Sequence, residues 1–344
     1  MNIAIRVDSS NKIGTGHIYR TLSLAEKLKE KKIKVIFICQ KLPGNIVDLI
    51  KKKNFKVKII NNLFSQSEKK ILNNHFKSWS YKMQVNDTKK TNLILNKNKC
   101  DWMIVDHYGL SEIWEKRVTK QSKVAVIDDL FNKKHFCDLY INYHNKLAKK
   151  YKTNLLTNRE CKILDGLKYV MINNKYVNKK SNFIKKNKNI FIYMGGVDRK
   201  KMAIKIVNKV KNHFNTTILL GKNSKYLKEI MMICKKNKFI KIIKKNFSSL
   251  KYFFENYGLV ISSGGLSMYE QICCGANSLV IPQNKYQKKI CNMLFKKGYI
   301  NYFDTANRIN INILRKLIKL NKKKGNIIDG FGNDRILKKI ISIT

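Results

Sequence analysis

His17 is the residue of this chain best placed to do chemistry. It ends a loop that carries Asp8, Gly14 and Gly16, and that loop leaves the apolar run at 2–7. A helical pattern follows at once, with Ile18, Leu22, Ala25 and Leu28 spaced along one face. Glycines at such a turn let a backbone approach a ligand closely, and a helix N-terminus offers unpaired N–H groups to an anion. A histidine there can serve as general base beside a phosphate-bearing substrate, and Arg20 lies one turn on.

Other polar residues gather where apolar runs stop. Asp106, His107 and Tyr108 follow the run at 102–105, and Asp128 and Asp129 follow the run at 123–127. Strand-end carboxylates can orient sugar hydroxyls, bind a metal, or cap the next helix. No further ligands stand at convincing metal spacing, so sugar orientation or structural support is favoured. In the second half, Gly195 and Gly196 end one run. Ser263, Gly264 and Gly265 end another, with Ser267 and Glu270 in the helix beyond. That spacing puts Glu270 within reach of a ribose whose phosphates sit on the turn, although glycine pairs by themselves are common strand–helix connections. Gln283, Asn284 and Gln287 follow a third run and serve equally well as a polar turn or as ligands. His75, His135, His144 and His213 have no motif around them and are expected at the surface or in loops.

The elements that must position these residues alternate between strand and helix along most of the chain. Strands are expected at 3–7, 33–39, 57–60, 102–105, 123–127 and 139–141, then at 189–194, 216–220, 240–243, 258–262 and 278–281. Helices are expected at 17–31, 43–53, 84–98 and 111–120, then near 199–213, 224–236, 247–256, 265–275 and 285–298. Such alternation predicts an α/β protein with parallel sheets. The polar stretch 172–188 reads as a linker between an N-terminal domain at 1–171 and a C-terminal domain at 189–344. A last helix near 333–342 is expected to pack back on the first domain. Two such halves predict a cleft at the C-terminal strand ends, where open parallel sheets bind ligands.

Composition bounds the rest. The 344 residues carry a formal net charge of +50, yet only 8 of the 72 basic residues are arginine, and the lysines are spread along the whole sequence. This predicts a solvated lysine-rich surface that attracts polyanions non-specifically, with no specific nucleic-acid partner. No apolar run approaches the roughly 20 residues needed to cross a bilayer, and no signal peptide is expected. The eight cysteines form no C-x-x-C pair, which fits reduced thiols and a cytoplasmic monomer.

Taken together, Arg6 to Ser10, Ile13 to Glu26, Ile104 to Tyr108, Val126 to Leu130, Cys137 to Leu139, Gly195 to Asp198 and Ser263 to Gly265 resemble the UDP-sugar hydrolases of pseudaminic-acid biosynthesis. That family is related to the bacterial lipid-II N-acetylglucosaminyltransferase. The resemblance implies a GT-B fold of two Rossmann-like domains. It also implies hydrolysis of a UDP-linked 2,4-diacetamido-2,4,6-trideoxy-altrose, without metal or other cofactor, on a route to cell-surface glycans such as those of flagellin. His17 matches the family's base. The first-domain residues Asp8, Gly14, Gly16, Arg20, Asp106, His107, Tyr108, Asp128 and Asp129 would hold the sugar. UDP would lie on Gly195, Gly196, Ser263, Gly264, Gly265, Ser267, Glu270, Gln283, Asn284 and Gln287. Met194 and Tyr269 stand where the family often has Phe and Trp. A glycosyltransferase using the same UDP-sugar is the alternative, and a basic nucleotide-binding protein is the non-enzymatic one.

Overall fold

A computed structural model describes residues 1–61, 65, 67–68, 76–118, 120, 122–144, 155–177, 187–196, 198, 201–220, 226–235, 237–244, 247–320 and 327–343. It divides into two units, one of Met1–Met171 with Phe331–Thr344 and one of Ile172–Gly330.

The first unit is built on seven parallel strands: β1 (Asn2–Val7), β2 (Lys34–Cys39), β3 (Lys56–Ile59), β4 (Trp102–Asp106), β5 (Lys123–Ile127), β6 (Leu139–Asn142) and β7 (Lys162–Asp165). Their spatial order is β3-β2-β1-β4-β5-β6-β7, so the order reverses between β1 and β4. Ala4 lies beside Met103 and Val7 beside Asp106 across that switch. Central strands covered on both faces read as continuous apolar runs, and β1, β4 and β5 are buried almost throughout. Arg6 breaks the pattern in β1 and is fully buried.

Helices α1 (Gly16–Glu30), α2 (Val47–Lys52), α3 (Tyr81–Lys97) and α4 (Glu112–Val118) connect these strands. The expected apolar face of α1 is the buried one: Ile18, Leu22, Ala25 and Leu28 are all in the core. Ile18, Leu22 and Leu28 each contribute about 1.5–3 kcal/mol when fully buried. Helix α3 starts earlier than its apolar periodicity predicts because Ser80 caps it, its hydroxyl accepting from the Met83 N–H at 3.3 Å. Helix α2 is shorter than expected, since residues 42–45 turn through Gly44 at φ 74°.

The second unit holds six parallel strands: β8 (Ile190–Tyr193), β9 (Thr216–Leu219), β10 (Ile240–Ile243), β11 (Leu259–Ser263), β12 (Ser278–Ile281) and β13 (Tyr302–Phe303). Their order is β10-β9-β8-β11-β12-β13, again with a reversal, here between β8 and β11. The helices are α5 (Met202–Val210), α6 (Leu227–Lys235), α7 (Lys251–Asn256), α8 (Leu266–Cys273), α9 (Lys285–Lys296) and α10 (Ile311–Ile318). Its core joins Ile192, Val207, Ile218, Ile261, Leu279 and Leu314 with their neighbours.

The last helix, α11 (Gly332–Ile343), belongs to the first unit and packs on α1. Fully buried Asn333 donates from Nδ2 to the Ser23 hydroxyl at 2.5 Å. Of the stretch 172–188, residues 172–177 lie in the second unit with Ile172 and Tyr176 buried, and 178–186 lie outside the described residues.

Candidate active site

The C-terminal ends of β1, β4, β5 and β6 bring one polar network together in the first unit, beside the topological switch. Its centre is Arg20. The guanidinium grips Asp106 with two bonds, Nε to Oδ2 and Nη2 to Oδ1, both 2.6 Å. Its Nη1 donates to Asp129 Oδ2 at 2.6 Å and to the Tyr143 hydroxyl. Burial opposes charge on all three groups. The facing charges outweigh it: Asp106 and Asp129 are held below the usual carboxylate range, and Arg20 is raised.

His17 joins this network through Nδ1, which lies 2.6 Å from Asp106 Oδ1. An ionised carboxylate only accepts, so Nδ1 carries a proton, and in the neutral imidazole the lone pair is on Nε2. Arg20 Nη2, 3.2 Å from the same Nδ1, is a second donor and adds only its charge there. The Tyr108 ring meets the imidazole edge-on at 4.7 Å, and its hydroxyl donates to Asp129 Oδ2 at 2.8 Å. Tyr108 therefore offers its ring beside His17 while its O–H is tied inward.

The loop before α1 is shaped for this placement. Gly14 turns at φ 89°, its N–H donating to the Ser10 carbonyl, and the Ser10 hydroxyl accepts from the N–H groups of Lys12 and Ile13. Helix α1 has no side-chain cap and no acidic residue in its first turn, so its leading N–H groups are left to other partners.

Asp8 and His107 face inward. Asp8 accepts from Arg6 at 2.6 and 3.1 Å, from the Gln40 N–H at 2.7 Å and from His107 Nε2 at 3.1 Å. Every acceptor direction of that carboxylate is used, and Arg6 bridges it to Asp87 on α3. His107 Nδ1 accepts from the Gly109 N–H, and burial pulls its pKa down despite Asp8.

The two neighbouring aspartates part company. Asp129 joins Arg20, and His144 Nε2 lies 3.2 Å from its other oxygen. Asp128 turns to its own loop, accepting from the Leu130 and Phe131 N–H groups at 3.0 Å and from the Tyr140 hydroxyl at 2.9 Å. His135 and His144, expected at the surface or in loops, do lie in loops, but they are buried against these carboxylates. His213 is exposed, and His75 lies outside the described residues. The signal for His144 was present: like His107, it follows the end of an apolar run. His135 is paired with Glu115, which lies 20 residues away in sequence.

In the second unit glycine turns follow β8 and β11, and a turn rich in amides follows β12. Gly195 turns at φ 84°, and a Cβ there would sit 3.5 Å from Ser263 Oγ. Gly264 lies so near α9 that a Cβ would meet Cys291 Sγ at 3.0 Å. Gly265 opens α8, which has neither a side-chain cap nor an acidic residue in its first turn. Gly196 precedes Val197, which is outside the described residues. Gln283 Nε2 reaches the Met194 carbonyl at 3.3 Å. Asn284 caps α9 by accepting from the Gln287 N–H, and Gln287 Oε1 accepts from the Gln283 N–H, both at 2.8 Å. The amides thus hold their own turn. Burial pushes the Glu270 carboxyl up to about 7, against hydrogen bonds from Tyr176 and Ser267.

Among the described residues no three or more His, Cys, Asp or Glu side chains are arranged to hold a metal ion. No described helix is long and apolar enough to cross a membrane.

No family model matches the chain. It is 27% identical over 301 residues to the UDP-2,4-diacetamido-2,4,6-trideoxy-beta-L-altropyranose hydrolase of Campylobacter jejuni, covering 87% of this chain and 98% of that protein. Among solved structures it is similar to MurG of Acinetobacter baumannii, with TM-score 0.63 and 11% identity over 99% of this chain and 100% of the other. It is also similar to the calicheamicin glycosyltransferase, with TM-score 0.61 and 8% identity over 99% of this chain and 94% of the other. The fold is GT-B: two Rossmann-like units, each a parallel sheet flanked by helices.

Proposed function

We propose that this chain cleaves a UDP-sugar at its anomeric carbon, with water as acceptor and His17 as general base. The observation that carries the reading is the 2.6 Å contact of His17 Nδ1 with buried Asp106, which leaves Nε2 as the basic atom. Among the described residues Nε2 has no hydrogen-bond partner, and it is free to take a proton from water. Asp106, kept ionised by Arg20, stabilises the imidazolium that forms. The second unit is assigned the nucleotide: uncapped N–H groups at the start of α8 for the diphosphate, and Glu270 for the ribose hydroxyls. UDP leaves readily because its terminal phosphate is a weak base, with pKa about 6. Charge stabilisation by backbone N–H groups suffices for its departure.

Support for water as acceptor, and for a diacetamido-trideoxy sugar, comes from the Campylobacter hydrolase and its near-complete coverage. A second reading, transfer of the sugar to an acceptor hydroxyl, is favoured by the likeness to a named glycosyltransferase. The same base and nucleotide turns serve either acceptor.

Attack by His17-activated water opposite the pyrophosphate inverts the anomeric carbon. Proton NMR of a reaction started with the UDP-linked diacetamido sugar is expected to show the inverted free sugar first, before it mutarotates. Release of the retained anomer would remove direct water attack.

A further inference from the structure

We propose that His135 is a positioning residue: through Glu115 and Asp128 it holds the loop after β5 in the shape that presents Asp129 to Arg20 and Tyr108. His135 lies 2% exposed between carboxylates from two different elements. Its Nδ1 is 2.7 Å from Glu115 Oε1 on α4, and its Nε2 is 3.7 Å from Asp128 Oδ2 at the end of β5. Both carboxylates also fasten backbone. Glu115 Oε2 accepts from the Phe136 N–H at 2.7 Å, and Asp128 accepts from the N–H groups of Leu130 and Phe131. Phe131 sits at φ 52°, a left-handed conformation that an aromatic residue keeps only when its surroundings impose it.

Charge explains why a histidine stands there. The groups facing the imidazole are Glu115 from α4, Asp128 from β5, the Tyr140 ring from β6 at 5.7 Å, and Lys133 from the loop itself. Glu115 and Asp128 are both buried; His135 lies between them, and Lys133 adds its charge from the loop without pairing directly with either. Burial works against the imidazolium, but the two carboxylates prevail and raise it to about 9. Lys133 uses its ammonium on the carbonyls of Tyr108 and Leu110, both at 2.6 Å, and the Glu112 N–H donates to the Lys134 carbonyl. The loop that His135 holds is thereby fastened to the loop carrying Tyr108, whose ring lies against His17.

When His135 loses its proton, a buried carboxylate loses its counter-charge. Asp128 then holds its loop less well, and Asp129 and Tyr108 shift against Arg20 and His17. The loop coupling stands on geometry alone; its effect on turnover rests on the function proposed above.

Imidazole 15N NMR of the full-length chain, which has six histidines, reads both parts. The His135 resonance is expected to titrate near pH 9, with the His144 and His17 resonances shifting at the same midpoint. Glu115→Gln removes one counter-charge while leaving the histidine, and is expected to bring that shared midpoint down to roughly pH 8 or lower. The alkaline limb of kcat for UDP release should move with it. A merely structural histidine would change the amount of folded enzyme and leave that limb in place. His144 and His17 resonances that stay still while His135 titrates would overturn the proposal, and wild-type chain suffices for that observation. Coupled resonances in a chain that releases no UDP would overturn the function and leave the loop coupling standing.

Discussion

The base role proposed for His17 depends on a partner 89 residues away in sequence. Asp106 fixes which imidazole nitrogen carries the proton, and Arg20 keeps Asp106 charged. His17→Asn keeps a polar side chain and loses the base. It is expected to lower kcat by about 10²-fold or more with UDP affinity unchanged, as steady-state kinetics beside calorimetry would show. Turnover near wild type would remove His17 from the reaction. Asp106 was legible as an acid at a strand end, but its service to His17 was not, because a strand-end acid reads the same whether it faces substrate or a neighbouring element. Asp8 shows the same limit. It stands in the loop that leads to His17, and its carboxylate is taken up by Arg6, Gln40 and His107.

Glu270 makes a pH-dependent prediction. Its folded pKa, about 7, lies above the ordinary carboxyl value of 4.5. The folded chain therefore binds more protons there than the unfolded one. The associated stability is complete below about pH 4.5 and is lost as pH rises through 7. Ribose hydroxyls donating to the carboxylate would favour its charged form, so UDP binding between pH 6 and 7 should release a proton. Calorimetry in buffers of different ionisation enthalpy measures this directly. Glu270→Gln should abolish the buffer dependence; its persistence in that variant would place the proton on another group.

At the scale of elements, alternation of apolar runs and helical patterns carried most of the fold. Strands β1 to β6 and β8 to β12 fall where they are predicted; the central ones read as apolar runs because they are covered on both faces, and the edge strands β3 and β10 still carry enough apolar residues to be found. The other two edge strands were less legible. β7, with Lys162 and Asp165 at its ends, and β13, with two residues, present too little apolar sequence to stand out. Short turns were also hidden: Ser80 and Gly44 shift helix ends by a few residues through hydrogen bonds and a positive φ. Gly14 illustrates what such a turn costs. Its φ of 89° disfavours any side chain, yet a Cβ there would meet nothing within 4 Å. Gly14→Ala should thus cost only about 1–2 kcal/mol of stability, by strain without a clash. A loss well beyond that in thermal unfolding would mean that the loop needs the glycine for a contact.

For the whole molecule, the two units carry different parts of the proposed reaction. The network around His17 lies in residues 1–171 and the glycine turns proposed to hold the nucleotide in 172–330. Each set stands at the C-terminal ends of strands flanking a reversal of strand order, where helix N-termini and loops converge. That placement was legible from sequence, since the polar clusters all follow apolar runs. The division of the chain into units was legible only approximately. The stretch 172–177, polar and aperiodic, folds into the second unit because Ile172 and Tyr176 are buried there.

Water as the acceptor is tested most directly by incubating the full-length chain with a purified UDP-linked 2,4-diacetamido-2,4,6-trideoxy sugar and no acceptor, and quantifying UDP and free sugar. The expected result is equimolar release of both, proceeding to completion and abolished by His17→Asn. Intact UDP-sugar that yields UDP only after an acceptor hydroxyl is added, with the sugar recovered on that acceptor, would contradict hydrolysis and establish transfer.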